Sequence, residues 1–116
     1  MKIILVDDEV ELVSAMAERL AIRGMDVDWT DSGVTALNMA QTCKYDVAVL
    51  DMKMPRLNGL ELRRMMSEKC PNMKFIFLSG HGSEADFKAG SAEAACYMIK
   101  PIHLEDLITK IKEVAE

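Results

Sequence analysis

Apolar residues occur along the chain in five short stretches, either as solid runs or at alternate positions, and longer stretches with helical spacing lie between them. The first run, Ile3-Ile4-Leu5-Val6, leads into a helix predicted over residues 9–23. There Val13, Met16, Ala17, Leu20 and Ala21 recur at helical spacing, and Gly24 supplies a stop. Residues 25–30 read as a second strand. Asp31-Ser32 offers an N-cap to a helix that carries Val34, Leu37 and Ala40 and ends near Lys44. Residues 45–50 are apolar on both faces, which predicts a central parallel strand with helices on each side. Pro55 and Gly59 bracket a loop before a third helix over 60–69, which Pro71 closes. A strand over 74–78 and a polar, glycine-rich loop over 80–83 follow. A fourth helix is predicted over about 84–92, weakened by Gly90 at a cost of about 1 kcal/mol relative to alanine. The run Cys96-Tyr97-Met98-Ile99 is the fifth strand. The last helix, over 103–114, gathers Leu104, Leu107, Ile108, Ile111 and Val114 into one stripe.

Alternation of this kind implies right-handed crossovers and an α/β fold: a three-layer α/β/α sandwich around a parallel sheet of five strands. Such open sheets bind ligands at the carboxyl ends of their strands. Here the runs end on residues suited to phosphate chemistry: Asp7-Asp8, Asp51, Ser79 and Lys100-Pro101. Adjacent acids beside a third would repel one another unless a cation joined them. Oxygen ligands of high negative charge select Mg²⁺ rather than zinc. Asp51 in that setting is a candidate nucleophile toward a phosphoryl donor, with Ser79 and Lys100 placed to meet the transferring oxygens. The competing structural reading makes Asp7-Asp8 a cap for the first helix and Asp51 a loop acid. For any one pair it would prevail; four coincident strand ends favour a site.

Composition narrows the classes. A chain of 116 residues suits one domain with a proper core. No apolar run approaches the roughly 20 residues needed to span a bilayer, so no membrane association is expected. Met1-Lys2-Ile3 runs straight into a strand pattern without signal-peptide features, which points to the cytoplasm. Cys43, Cys70 and Cys96 are odd in number and widely spaced, so packing roles in a reducing compartment are expected, with neither a disulfide framework nor a zinc site. A net charge of −5 without a Lys/Arg cluster argues against direct nucleic-acid binding.

The motifs Leu5-Val6-Asp7-Asp8-Glu9, Leu50-Asp51-Met52-Lys53-Met54-Pro55 with Gly59, Ser79-Gly80-His81-Gly82 and Tyr97-Met98-Ile99-Lys100-Pro101 stand in an order and at separations that are highly specific. Through them the whole chain resembles the receiver domain of bacterial two-component response regulators. The resemblance implies a flavodoxin-like sheet of order 2-1-3-4-5. It implies phosphotransfer onto Asp51 from a sensor histidine kinase or a histidine phosphotransfer protein. It also implies Mg²⁺ bound by Asp8, Asp51 and the backbone carbonyl of Lys53, with Asp7 helping through water. By the same analogy Ser79 swings toward the phosphoryl group and Tyr97 turns inward behind it. This alters the face made by the fourth helix, the fifth strand and the last helix, which controls a downstream protein or an attached effector domain. A dimer formed through that face on phosphorylation is a further expectation. The Lys100-Pro101 bond is cis in such domains, whereas base rates alone favour trans.

Some roles stay open at this level. Tyr97 is either the switch aromatic or a half-buried strand residue with a wet hydroxyl. Lys53 and His81 either set the rate of dephosphorylation or are exposed loop residues. Met52 and Met54 form a soft patch or pack under the loop. The chain departs from the family pattern in Ser79, where Thr is frequent, and in Glu93-Ala94, which leaves the shape of the fourth helix open. Two rival functions share parts of this pattern. A receiver-like docking module that is not phosphorylated finds no support in the intact set of site residues. A haloacid-dehalogenase-type phosphatase needs a second Asp where Lys53 stands. Neither a P-loop nor GxGxxG occurs, against nucleotide binding. The reading is a signalling domain that assists only its own phosphorylation and autodephosphorylation.

Overall fold

A computed structural model describes residues 1–80 and 96–116. Its elements are β1 (Lys2–Val6), α1 (Val10–Ile22), β2 (Asp26–Thr30), α2 (Gly33–Met39) with a 3₁₀ turn at Ala40–Thr42, β3 (Val47–Asp51), α3 (Gly59–Lys69), β4 (Lys74–Ser79), β5 (Cys96–Ile99) and the last helix, α4 (Leu104–Ala115). The fourth helix predicted over 84–92, the loop residues from His81 to Ser83, Gly90 and Glu93-Ala94 lie outside the described residues. All five strands pair in parallel, in the order β2-β1-β3-β4-β5. This is the receiver-type, flavodoxin-like order.

Strand alternation sends successive side chains to opposite faces of the sheet. Ile4, Val6, Ala48, Leu50, Phe75 and Phe77 pack with Ala36 of α2 and with Leu62 and Met66 of α3. Ile3, Leu5, Val47, Val49, Ile76 and Leu78 pack with Val13, Ala17 and Leu20 of α1 and with Leu107, Ile108 and Ile111 of α4. The sheet is therefore covered on both sides, which is why β3 is buried along its whole length.

The helix boundaries have local causes. Gly24, with φ +84°, takes the left-handed conformation just past α1, where a side chain would be strained. Ser32 caps α2, its Oγ accepting from the Thr35 amide at 3.3 Å. Asn58 caps α3 through a reciprocal box: its Oδ1 accepts from the Glu61 amide at 2.9 Å, and its own amide donates to Glu61 Oε1 at 3.4 Å.

Three expectations are corrected. The second helix was expected to run to about Lys44; α2 ends at Met39, and the 3₁₀ turn carries the chain to Cys43, whose φ of 54° is left-handed. Of Val34, Leu37 and Ala40, expected on that helix's apolar face, Ala40 is buried and Leu37 packs against the core, but Val34 is 57% exposed, and Gly33 and Ala36 are buried instead. Cys43 and Cys70, expected as packing thiols, form a disulfide with a Cα–Cα distance of 5.5 Å. The carboxyl ends of the α2 segment and α3 lie side by side and bring together residues separated by 27 positions, a proximity that no local Cys spacing reveals. Cys96 is a free, partly buried thiol. Among the described residues, no helix is long and apolar enough to cross a membrane.

Candidate phosphoacceptor and metal site

The register explains how the acids meet. Ile3 pairs with Val47 and Leu5 with Val49, so one further step along each strand sets Asp7 beside Asp51 on the same face. Asp7, Asp51 and Ser79 are buried, with relative exposures of 2%, 4% and 1%. Asp8 is exposed at the rim. Carboxylate oxygens of Asp7, Asp8 and Asp51 all lie within 4.8 Å of one another. Like charges this close on neighbouring strands destabilise the sheet edge unless a cation compensates them.

Lys100 supplies part of that compensation. It follows β5 directly, and its amide donates to the Ser79 carbonyl at 2.6 Å, which ties the end of β5 to the end of β4. Its Nζ donates to Asp7 Oδ2 at 2.8 Å and to Glu9 Oε1 at 3.0 Å, and lies 3.7 Å from Asp51 Oδ1. Burial alone would lower the Lys100 pKa, but the carboxylates of Asp7, Glu9 and Asp51 outweigh it and raise it well above the usual range. The ammonium is permanently charged at physiological pH.

One ammonium among four carboxylates does not neutralise the site. Burial, and then the charge of Asp7, push the Asp51 carboxyl up to about 6; Lys100 and the Lys53 amide pull the other way, and Asp8 adds to the rise. The Lys53 amide reaches Asp51 Oδ1 at a long 3.5 Å. Hard oxygen donors, tightly grouped and short of positive charge, suit a hard divalent cation such as Mg²⁺. Asp7, Asp8 and Asp51 are the side chains that would hold it.

The loop after Asp51 is held close to the acceptor. The Met52 amide donates to the Leu78 carbonyl at 2.9 Å, and the Gly59 amide donates to the Met52 carbonyl at 3.2 Å. A Cβ on Gly59 would sit 2.4 Å from the Asp51 carbonyl oxygen, so only glycine lets the first turn of α3 approach the acceptor's backbone this closely. Met52 and Met54 are buried in the cluster beneath the loop, and Lys53 is exposed.

Ser79 Oγ is buried at the end of β4 and has no hydrogen-bond partner among the described residues. Its place at the end of β4, next to the end of β3 that carries Asp51, suits a hydroxyl that donates to an incoming acceptor atom. Tyr97 is half-buried on β5 and packs against the cluster on the α2–α3 side. The Lys100-Pro101 bond is cis. His81 lies outside the described residues.

The residues singled out in the sequence, Asp7, Asp8, Asp51, Ser79 and Lys100, thus come together at one edge. Glu9 joins them, a placement that the motif containing it does not reveal. The signal was an acid directly after the Asp7-Asp8 pair, but placing it against Lys100, 91 positions away, required the sheet order.

A family model for the response regulator receiver domain matches residues 3–112. Response regulator MprA of Mycobacterium leprae is 34% identical over 113 residues, which cover 97% of this chain and 50% of that protein. The chain spans about half the length of the curated relatives it matches. Among solved structures, a receiver domain protein from Clostridium thermocellum superposes with a TM-score of 0.90 at 32% identity, covering 98% of this chain and 93% of that one. A CheY-like receiver domain protein from Methanospirillum hungatei gives a TM-score of 0.91 at 28% identity, covering 98% and 92%. Motifs, strand order and the acidic edge agree with these likenesses, and the chain belongs to the response regulator receiver domain family.

Proposed function

We propose that this domain accepts a phosphoryl group on Asp51 from the phosphohistidine of a sensor histidine kinase or phosphotransfer protein. The observation that carries this reading is the convergence of Asp7, Asp8 and Asp51 within 4.8 Å, with the Lys100 ammonium 3.7 Å from Asp51 Oδ1. In the transfer, an Asp51 carboxylate oxygen attacks phosphorus, an acyl–phosphate bond forms, and the phosphorus–nitrogen bond to the donor histidine breaks. The departing imidazole is protonated by solvent. Mg²⁺, when bound, neutralises charge on the phosphoryl oxygens. Asp8, Asp51 and the backbone carbonyl of Lys53 would hold that cation, with Asp7 helping through water.

Lys100 pairs with one phosphoryl oxygen, and the open Ser79 hydroxyl donates to another. Movement of Ser79 toward the phosphoryl group leaves space that Tyr97 fills, and the face containing β5 and α4 changes with it. A small hydroxyl coupled to one aromatic rotamer is the two-state element that such a switch needs. The exposed Lys53, and His81 outside the described residues, are the residues that set the lifetime of the acyl phosphate. The output passes to an effector domain attached in a longer protein or to a separate partner, in the cytoplasm, with a phosphorylation-dependent dimer as one form of it. The half-length match to MprA supports an attached effector.

Intact mass after incubation with acetyl phosphate, with and without Mg²⁺, tests the reading. A Mg²⁺-dependent gain of one phosphoryl group, absent from Asp51→Asn, is expected. No gain together with no binding of beryllofluoride would leave a docking module as the better description.

A further inference from the structure

We propose that Glu9 is a positioning residue for Lys100: its carboxylate holds the ammonium at the outer rim of the acidic edge and competes for it with the phosphoryl group on Asp51. The inference rests on the reading of Asp51 as phosphoacceptor. Lys100 Nζ is shared among Asp7 at 2.8 Å, Glu9 at 3.0 Å and Asp51 at 3.7 Å, so its nearest partners are not the acceptor. Asp7 and Asp51 are fixed by burial, whereas the Glu9 side chain is 62% exposed and is the partner that can let go.

The conformation of Glu9 is not explained by the helix it begins. It occupies the N-cap position of α1, yet its side chain makes no capping hydrogen bond. A Glu at this position could turn toward the open amides of the first turn or into water. Instead its amide donates to Asp7 Oδ1 at 2.9 Å while its carboxylate reaches Lys100. Asp7 is thereby bridged on one oxygen by Glu9 and on the other by Lys100, which links the acid pair, the ammonium and the start of α1 into one unit. Beside it, a cavity of about 440 Å³ lined by Glu9, Lys100, Leu12, Met16, Pro101 and Ile102 opens outward. The Glu9–Lys100 pair thus borders open space on one side, and on the other the ammonium already stands 3.7 Å from Asp51 Oδ1.

A phosphoryl group arriving on Asp51 must therefore take Lys100 from Glu9. Removing the Glu9 charge frees the ammonium and favours the phosphorylated form. The contact is partly exposed, so the expected gain is about two- to fivefold. Beryllofluoride, a mimic of the phosphoryl group, is titrated calorimetrically at saturating Mg²⁺ into the native chain, Glu9→Gln, Lys100→Met and the double variant. Glu9→Gln is expected to bind about two- to fivefold tighter than the native chain. In the Lys100→Met background the same substitution is expected to add little, because its effect passes through the ammonium. Unchanged or weaker binding by Glu9→Gln, or an equal gain in both backgrounds, overturns the role of Glu9 and leaves the acceptor reading standing. No binding by the native chain overturns the acceptor reading and this inference with it.

Discussion

The two edges of the sheet differ in how completely their polar groups are matched. At the amino-terminal edge, Lys2 faces Asp26 at 3.4 Å and Asp28 at 3.7 Å, and the Tyr45 hydroxyl donates to Asp28 at 2.6 Å. The Lys2 amide donates to the Asp46 carboxylate at 2.8 Å, the Asp46 amide to the Lys2 carbonyl at 2.8 Å, and the Lys74 amide to the Asp46 carbonyl at 2.9 Å. The Cys43–Cys70 disulfide closes the same end of the α2–α3 layer. At the carboxyl-terminal edge, Asp7, Glu9 and Asp51 share the Lys100 ammonium with the Asp8 carboxylate close by, Asp51 is pushed up to about 6, and the Ser79 hydroxyl has no hydrogen-bond partner among the described residues. Matched groups stabilise the fold, whereas unmatched ones are retained where a ligand completes them. The contrast locates the chemistry without reference to relatives.

Breaking the matched edge has the largest expected effect on stability and little on the site. Reducing the Cys43–Cys70 disulfide opens a loop with a sequence separation of 27, which in the chain-entropy model costs about 3 to 4 kcal/mol. Urea unfolding with and without reductant measures this, and Mg²⁺ affinity is expected to stay within about twofold because the bond lies at the far end of β3.

Relieving the unmatched edge has the opposite sign. The folded chain binds the Asp51 proton more tightly than the unfolded chain, whose carboxyl has the ordinary value of 3.8. Stability from this group is therefore fully present below about pH 4 and is lost as pH rises through about 6. Without Mg²⁺ at pH 7.5, Asp51→Asn is expected to stabilise the domain by about 1 to 2 kcal/mol. The gain should shrink below about pH 6, where native Asp51 takes up its own proton. Thermal melts of both proteins across pH 4 to 8 provide the check; a variant less stable than the native chain at pH 7.5 would remove the strain argued for this edge.

A smaller effect is expected at Tyr45. Burial, with the hydrogen bond to Asp28, raises its phenol pKa well above the usual value, so the hydroxyl stays protonated and donates. Tyr45→Phe should cost about 1 kcal/mol in urea unfolding. It should leave phosphorylation by acetyl phosphate unchanged.

Much of the unmatched edge was legible in the sequence because strand ends are where apolar runs stop, and Asp7, Asp8, Asp51, Ser79 and Lys100 stand at those stops. The sheet order came with the family resemblance, since apolar periodicity carries no information about which strands are neighbours. What escaped depends on that order or on helix packing. Lys2 meets Asp26 only once β1 lies beside β2, and Glu9 meets Lys100 only once the crevice is closed. Cys43 and Cys70 meet because two helices end side by side. The Asn58-x-x-Glu61 box is different: its spacing is a capping signal readable from the sequence alone.

The most direct test of the phosphoacceptor is chemical mapping. The chain is incubated with acetyl phosphate and Mg²⁺, then treated with borohydride, which reduces an acyl phosphate on Asp to homoserine, and sequenced by tandem mass spectrometry. Homoserine at position 51, and a Mg²⁺-dependent yield, is the expected result. Reduction at Asp7 or Asp8 instead, or none in a protein that has gained the phosphoryl mass, would contradict the assignment of Asp51.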